Sequence, residues 1–432
     1  MDDCAATAAD RISALPDELL SDVVSRLPTK DAARTTALSC RWRFLWAATP
    51  LRLNDDDLIP SGRSRRTADL TALAAASSRA IASHPGPVRS ARFFCDIMEC
   101  AQCDGDLAGR IRAVGAKGVR ELVLVDRALF RKSRLAWHPC PARPRDIERL
   151  LARGRALETL VLFAGYRLPI RVRLSNRSLR CVVTFKSFPE ELSVVRAPRL
   201  ERLLLSDSWV SHPAEWMCKV RVKIRYAPRL QAIGYINPTV HKLKIGNTFI
   251  KAGMEVGSSA MLPSVKTLVL LLWLGDEWEA RMVATFLRCF PNLETLYIMS
   301  AKLCEGDEDE AEFHVDFWQD LGSIECVRSS IKKLVFEGFR GEPRELVFLG
   351  CITEAAQMLE MVDIIFDLGG ATPNEKDDDP FRVLSFVSAS GNTRATFVQR
   401  KTIFNYTKSS NMSRGDPFIA CIEAAKLIIA PS

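Results

Sequence analysis

Between residues 12 and 46 the apolar positions recur with helical spacing, and proline breaks the run. Leu15-Pro16 opens a first helix, with Asp17 and Glu18 in the first turn, where the helix dipole favours negative charge. Leu19, Leu20, Val23, Val24 and Leu27 then form a stripe two residues wide. Pro28 ends this helix. Thr29 is placed to cap a second helix and Ser39 a third, which holds Trp42, Leu45 and Trp46. Three helices in about 40 residues bury too little apolar surface to stand alone, so such a module needs a partner or a neighbouring domain.

A polar stretch, 55–66, reads as a loop. The alanine-rich segment 67–84 reads as a helix closed by His84-Pro85-Gly86-Pro87. From there a pattern of apolar-x-x-apolar-x-apolar repeats, often after proline or arginine. It runs through Val119-Leu122-Leu124, Leu157-Leu160-Leu162, Leu179-Val182-Thr184, Leu200-Leu203-Leu205 and Leu230-Ile233-Tyr235. It continues through Val240-Leu243-Ile245, Val265-Leu268-Leu270, Leu293-Leu296-Ile298, Ile331-Leu334-Phe336 and Leu359-Val362-Ile364. Leading positions are mostly 21–38 residues apart, which is solenoid spacing with insertions. The gap from 230 to 240 is too short for a full repeat and predicts a return strand. Segments 279–289 and 345–358 have helical periodicity before the next strand. Helix then strand, repeated, predicts parallel strands joined by right-handed crossovers.

These residues carry three resemblances. The Leu-Pro-Asp-Glu-Leu-Leu start, the Leu-Pro-Thr-Lys centre (27–30) and the Leu-Ser-Cys-Arg-Trp-Arg end (38–43) resemble an F-box. The repeats resemble degenerate leucine-rich repeats, although the asparagine of the usual repeat is mostly missing. Residues 323–366, with Ser-Ile-Lys-Lys-Leu and then Gly338-Phe339-Arg340-Gly341, resemble the FBD domain that follows such repeats in plant F-box proteins. The implied fold class is α/β: a three-helix F-box, an irregular leucine-rich-repeat solenoid with parallel strands and convex-side helices, and an FBD-like cap. Boundaries follow as F-box 8–55, linker and short helix 56–90, degenerate repeats 91–322, FBD-like domain 323–400 and a tail 401–432.

The F-box resemblance implies docking on a Skp-type adaptor and, through it, on a cullin–RING ubiquitin ligase, with the repeats capturing a target protein. It places the contact on Leu15, Pro16, Leu19, Leu20, Leu27, Pro28 and Trp42, with Val24, Leu38, Leu45 and Trp46 completing the candidate set. Ala33 departs from the family, which usually places a larger apolar residue there. The other class is a binding scaffold without ligase function, its basic surface contacting nucleic acid or an acidic protein.

Charge and cysteine content trim these readings. The formal charge is +8 over 432 residues, with arginines crowded between 143 and 180. Arg143, Arg145, Arg149, Arg153, Arg155, Arg167, Arg171, Arg173, Arg177 and Arg180 resemble a nucleic-acid surface in charge. Few aromatics are interleaved for stacking and no DNA-reading motif occurs, so an acidic protein is the milder use of that charge. Thirteen cysteines at irregular spacing, behind an acidic start with no apolar run, read as reduced thiols of a cytosolic or nuclear protein. No apolar stretch is long enough to predict a membrane span. Cys95, Cys100 and Cys103, with Cys140 and His138 further on, have ferredoxin-like spacing but no glycine-rich cluster loop, so no metal is expected. The acidic runs 305–312 and 375–379 lack the offsets of a calcium loop. No nucleophile–base motif or phosphate loop appears, so no catalytic residue and no cofactor are expected.

Within each repeat the residue between the two inner strand positions faces away from the core. Those residues, Val123, Val161, Val183, Leu204, Val269, Tyr297 and Val335, form an apolar strip broken by Gly234, Lys244 and Asp363. The strip is expected either to receive the target or to be covered by the C-terminal segment, through Phe381, Phe386, Phe397 and Phe404.

Overall fold

In the computed structural model the described residues are 12, 14–60, 69–95, 103–126, 148, 151–152, 154–163, 168–185, 189–206, 220–274, 277–300, 315–366 and 394–399. The chain divides into two compact units, one of Met1–Ala142 with Arg149–Leu160, the other of Arg143–Glu148 with Val161–Ser432.

The first unit opens with helices α1 (Asp17–Arg26), α2 (Thr29–Arg34) and α3 (Cys40–Ala48). Pro16 stands at the N-cap position of α1, where a missing N–H is harmless. Ser39 caps α3 by accepting from the Trp42 N–H at 3.5 Å. Thr29 does not cap α2. It is that helix's first residue; its N–H donates to Asp57 at 3.1 Å and its hydroxyl to the Arg52 carbonyl at 2.9 Å.

Parallel strands follow at once: β1 (Leu51–Asn54), β2 (Val88–Cys95) and β3 (Glu121–Asp126). Helix α4 (Leu70–Ser83) lies between β1 and β2 in sequence, and α5 (Cys103–Ala116) between β2 and β3. Asp69 caps α4 by accepting from Thr71 and Ala72 N–H at 2.9 and 3.3 Å. The expected linker 56–90 is therefore the body of a first strand–helix–strand unit. β1 escaped the repeat pattern because Leu-Arg-Leu-Asn alternates apolar and polar over only four residues.

Strand β4 (Thr159–Phe163) begins in the first unit, where Glu158 and Thr159 N–H both reach the Arg120 carbonyl at 2.8 and 2.9 Å. The second unit repeats that device. The N–H groups of Gln231 and Ala232 share the Glu201 carbonyl, those of Lys266 and Thr267 share Gln231, and those of Glu294 and Thr295 share Lys266. Proline turns feed the strands that start at Arg202, Ala232 and Thr295. In Ala197-Pro198-Arg199-Leu200, Ala227-Pro228-Arg229-Leu230 and Phe290-Pro291-Asn292-Leu293 the last N–H returns to the first carbonyl at 3.1–3.2 Å. Proline's fixed φ suits the second position of such a turn. Leu200, Leu230 and Leu293 are then fully buried, so the leading residue of each repeat is a core anchor.

The main sheet of the second unit runs β6 (Cys181–Phe185), β8 (Arg202–Ser206), β10 (Ala232–Ile236), β13 (Thr267–Leu272), β14 (Thr295–Ser300), β15 (Lys333–Phe339), β16 (Met361–Phe366) and β17 (Arg394–Gln399). Its strands are parallel throughout. From β13 to β16 helices separate them in sequence: α6 (Glu277–Cys289), α7 (Glu325–Ser329) and α8 (Pro343–Ala355). Earlier the intervening elements are strands. β5 (Leu168–Ser175), β7 (Pro189–Arg196), β9 (Val220–Ile224) and β11 (His241–Ile245) form a second parallel sheet, edged by the short antiparallel β12 (Thr248–Phe249). Helices therefore back only part of the array. The strand predicted at Val240–Ile245 is β11, in this second sheet.

Within the second unit strip strands are in register: Val183 with Leu204, and Val269, Tyr297, Val335 and Asp363 in one row. Its residues are not an open groove. Val123, Val161, Val183, Leu204, Val269, Tyr297 and Val335 are all buried, the most accessible being Tyr297 at 7 %. Of the phenylalanines expected to cover the strip, Phe397 lies on β17 beside Ile364, and Phe381, Phe386 and Phe404 fall outside the described residues.

Candidate functional site

The N-terminal helices divide their apolar residues between two faces. Leu20, Val24, Ala32, Trp42 and Leu45 form a closed core, with Leu27 and Trp46 packed half-buried against it. Leu19 and Val23 lie one turn apart on the other side of α1 and are open to solvent, at 53 and 45 %, and Leu15, just ahead of the helix, is exposed too. Ile12, Leu38 and Phe44 are exposed as well, at 59, 67 and 69 %. Among the described residues only four other large apolar side chains are exposed, namely Tyr226, Phe249, Trp278 and Met358. Such concentration in one small module marks an interaction surface.

Of the residues predicted for adaptor contact, Leu15, Pro16, Leu19, Pro28 and Leu38 are solvent-exposed. Leu20, Val24, Trp42 and Leu45 are buried: their work is to hold the helices together, which corrects their assignment to the contact surface. Ile12, Val23 and Phe44 are exposed too and stood outside the predicted set. A helical wheel carries the signal for Val23, which sits one turn past Leu19, and for Phe44, which points away from Trp42 and Leu45. Of the alanines in α2, Ala32 is the core residue, whereas the divergent Ala33 is half-buried.

Polar bonds fix the exposed face. Arg41 on α3 donates from Nε to Asp17 at 2.8 Å and from Nη2 to the Leu15 carbonyl at 2.6 Å, which pins the start of α1. A buried cluster then joins the helices to the strands behind them. Asp55 accepts from Ser77 Oγ, from the Phe94 N–H at 2.8 Å and from Arg110 Nη1 at 3.0 Å. Arg110 also lies 4.6 Å over the Phe93 ring. Burial pushes the Asp55 carboxyl upward, against the pull of Arg110, Ser77 and the Phe94 N–H. Trp46 meets His84 edge-on at 4.8 Å, and His84 Nε2 sits 3.1 Å from the Trp46 carbonyl. Within the first unit the module is therefore rigidly mounted.

A second polar cluster sits at the Gly-Phe-Arg-Gly segment. Glu345, fully buried, accepts from Ser300 Oγ at 2.6 Å and from the Arg340 and Glu342 N–H groups at 2.8 and 3.2 Å. Glu342 takes Arg340 Nε at 2.7 Å and Arg344 Nε at 2.6 Å, and with Glu345 it forms a capping box on α8. Every carboxylate in the cluster is engaged internally, so the cluster braces a turn. Cys40, Cys181, Cys289, Cys326 and Cys351 are free thiols; burial pushes Cys289 and Cys326 up to about 12, so neither is a ready nucleophile. Cys100, Cys140 and His138 lie outside the described residues. Of the crowded arginines, Arg171 and Arg180 pair with Glu190 and Glu201, while Arg143, Arg145, Arg149, Arg153 and Arg167 fall outside the described residues. No helix among the described residues is long and apolar enough to cross a membrane.

Comparison with known proteins agrees with this layout. Three family models match in chain order: the F-box domain over 12–54, the LRR repeats of FBD-associated F-box protein At5g56370 over 133–298, and FBD over 319–364. The chain thus carries, in order, an F-box domain, leucine-rich repeats and an FBD domain. Its similar relatives are from Arabidopsis thaliana. F-box/FBD/LRR-repeat protein At5g22700 is 60 % identical over 42 residues, 10 % of each chain. Putative F-box/FBD/LRR-repeat protein At3g49480 is 62 % identical over 45 residues, again 10 % of each. F-box/FBD/LRR-repeat protein At5g56420 is 57 % identical over 47 residues, 11 % of each. Each match thus spans about a tenth of the relative's length.

Proposed function

We propose that this protein is the substrate-receptor subunit of an SCF-type cullin–RING ubiquitin ligase. Its F-box docks on a Skp-type adaptor and its repeat-bearing part captures a target protein. The carrying observation is the set of exposed apolar side chains, Ile12, Leu15, Leu19, Val23, Leu38 and Phe44, around a closed core in the segment that matches the F-box. The chain supplies no chemistry of its own on this reading. A rigid mount holds the target near the ubiquitin-carrying subunit and raises its effective concentration there. The protein works in the cytoplasm, the nucleus or both.

Co-purification tests this. The wild-type chain should bring down the adaptor and the cullin. Leu15→Asp/Leu19→Asp should lose both while its thermal unfolding stays unchanged. Undiminished capture by that variant would sink the reading.

A further inference from the structure

The second sheet of the second unit keeps one face closed and one open. Val172, Leu192, Val222 and Leu243 form a buried row across β5, β7, β9 and β11. The rows on either side point the other way. One reads Arg171, Glu191, Arg221, Lys242 and the other Arg173, Ser193, Lys223, Lys244. Arg225 follows Lys223 at the next outward position of that strand line. The outward residues other than Arg221 and Lys242 line a cleft of about 400 Å³, with Val195 and Asn247.

Part of this charge is neutralised internally. Arg171 reaches Glu190 at 3.1 Å, Lys223 reaches Glu191 at 2.7 Å, and Arg221 touches both glutamates. Arg173, Arg225 and Lys242 have no ion-pair partner among the described residues, and Lys244 lies 4.8 Å over the Phe249 ring. The face is therefore cationic with two carboxylates set into it. Among the described residues the cleft lining holds no aromatic side chain. Single-stranded nucleic acid needs stacking platforms, and a dense polyanion would meet the two glutamates at close range.

Spacing selects among the remaining anions. Outward side chains on one strand repeat every second residue, about 6.8 Å, and neighbouring strands lie about 4.8 Å apart. An extended peptide presents its alternate side chains at that same repeat. Alternating carboxylates would meet Arg225 and, shared with Glu191, Lys223, and Arg173 and Lys244 would flank them. We infer that this face holds an extended acidic segment, with carboxylates at alternate positions, of the protein the receptor captures. The inference rests on the receptor reading above.

The test uses the purified full chain, to which the adaptor is offered separately. The probe is a fluorescein-labelled peptide of alternating glutamate and serine, followed by anisotropy. The wild type should bind, more weakly as salt rises. Arg173→Glu/Arg225→Glu/Lys244→Glu should weaken binding about tenfold or more, and Arg173→Lys/Arg225→Lys should retain it. Should the triple variant melt early, Arg173→Gln/Arg225→Gln carries the same comparison. Equal binding by wild type and charge-altered variants overturns the proposal. Tighter binding of a single-stranded oligonucleotide does too. Tighter binding of the peptide Glu-Gly-Asp-Glu-Asp-Glu-Ala-Glu, the chain's own residues 305–312, would reassign the face to an internal segment. Adaptor capture on the same samples separates the two claims. Adaptor binding without peptide binding overturns the acidic ligand alone; peptide binding without adaptor binding overturns the receptor reading alone.

Discussion

Arg110 on α5 donates to the Asp55 carboxylate at 3.0 Å, and both side chains are withdrawn from solvent. The pair joins the turn that follows the F-box to the first repeat strands. The Ser77 hydroxyl and the Phe94 N–H complete the carboxylate's shell. Breaking a buried pair from one side strands the other charge, at about 3–5 kcal/mol. Asp55→Ala should therefore lower the unfolding free energy of the first unit by that order in urea. Asp55→Ala/Arg110→Met should lose less than the two single changes summed. A shift within about 0.5 kcal/mol for Asp55→Ala would show that the pair does not brace the mount.

Adjacent leucines on α1 should behave oppositely. Leu20 is fully buried in the helical core and Leu19 is half-exposed beside it in sequence. Leu20→Ala should cost about 2–5 kcal/mol and lose adaptor capture through unfolding. Leu19→Ala should stay within about 0.5 kcal/mol of wild type yet weaken adaptor capture. Calorimetry and a pull-down on both variants decide it. Equal stability losses would show that the two faces have been confused.

The two residues also show where the sequence was legible. Helix boundaries near Pro16, Pro28 and Ser39 follow from local chemistry and were visible. Which side of α1 closes the core depends on α3, so a stripe two residues wide hid the division. The proline turns before Leu200, Leu230 and Leu293 announce their strands because proline and one apolar anchor suffice. Strands β5 and β9 alternate charge with apolar residues, as in Arg171-Val172-Arg173-Leu174. That period of two was readable, but a search for apolar triplets passes over it. Burial of the Val269 row is a tertiary fact that no local pattern carries.

Glu342 governs an acid response. Burial raises its carboxyl, but bonds and charge from Arg340 and Arg344 outweigh that and hold it below the usual 4.5. A depressed folded value gives stability that is present above the unfolded value and lost as pH falls through the folded one. The loss should therefore begin near pH 4.5 and deepen below it. The group is partly solvated, so screening keeps the effect small. Glu342→Gln should flatten the dependence of the melting temperature between about pH 5 and 3. An unchanged slope in the variant would remove Glu342 from the account.

Gly338 should tolerate no side chain. Its φ is +75°, and a Cβ there would sit 2.9 Å from the Ser300 carbonyl oxygen. Strain and clash act together, so Gly338→Ala should destabilise by more than about 1 kcal/mol. The change should also disturb the Ser300–Glu345 bond. Chemical denaturation of Gly338→Ala and Glu345→Ala, singly and together, checks this. Additive losses would mean that the turn and the bond are independent.

The central strip gives the sharpest contrast. Leu204 and Val269 are 1 % exposed on in-register rows of the main sheet, whereas Arg173 and Lys242 face solvent on the second sheet. A carboxylate placed at Leu204 or Val269 would have to ionise without water or draw a proton, either at a cost of several kcal/mol. Asp363, in the same row as Val269, is tolerated because Lys333 meets it at 2.8 Å. Neither Leu204 nor Val269 has such a cation on a neighbouring strand: their paired neighbours are Val183, Gly234 and Tyr297, and the diagonal positions, where Lys333 stands to Asp363, hold Cys181, Phe185, Ala232, Thr295 and Met299. Leu204→Asp and Val269→Asp should therefore unfold the second unit or lower its melting temperature steeply, and Arg173→Asp should leave it folded. Circular dichroism on heating reads all three. Intact unfolding of Leu204→Asp together with lost target capture would mean that the strip is open after all, and that target binding belongs there instead of on the cationic face.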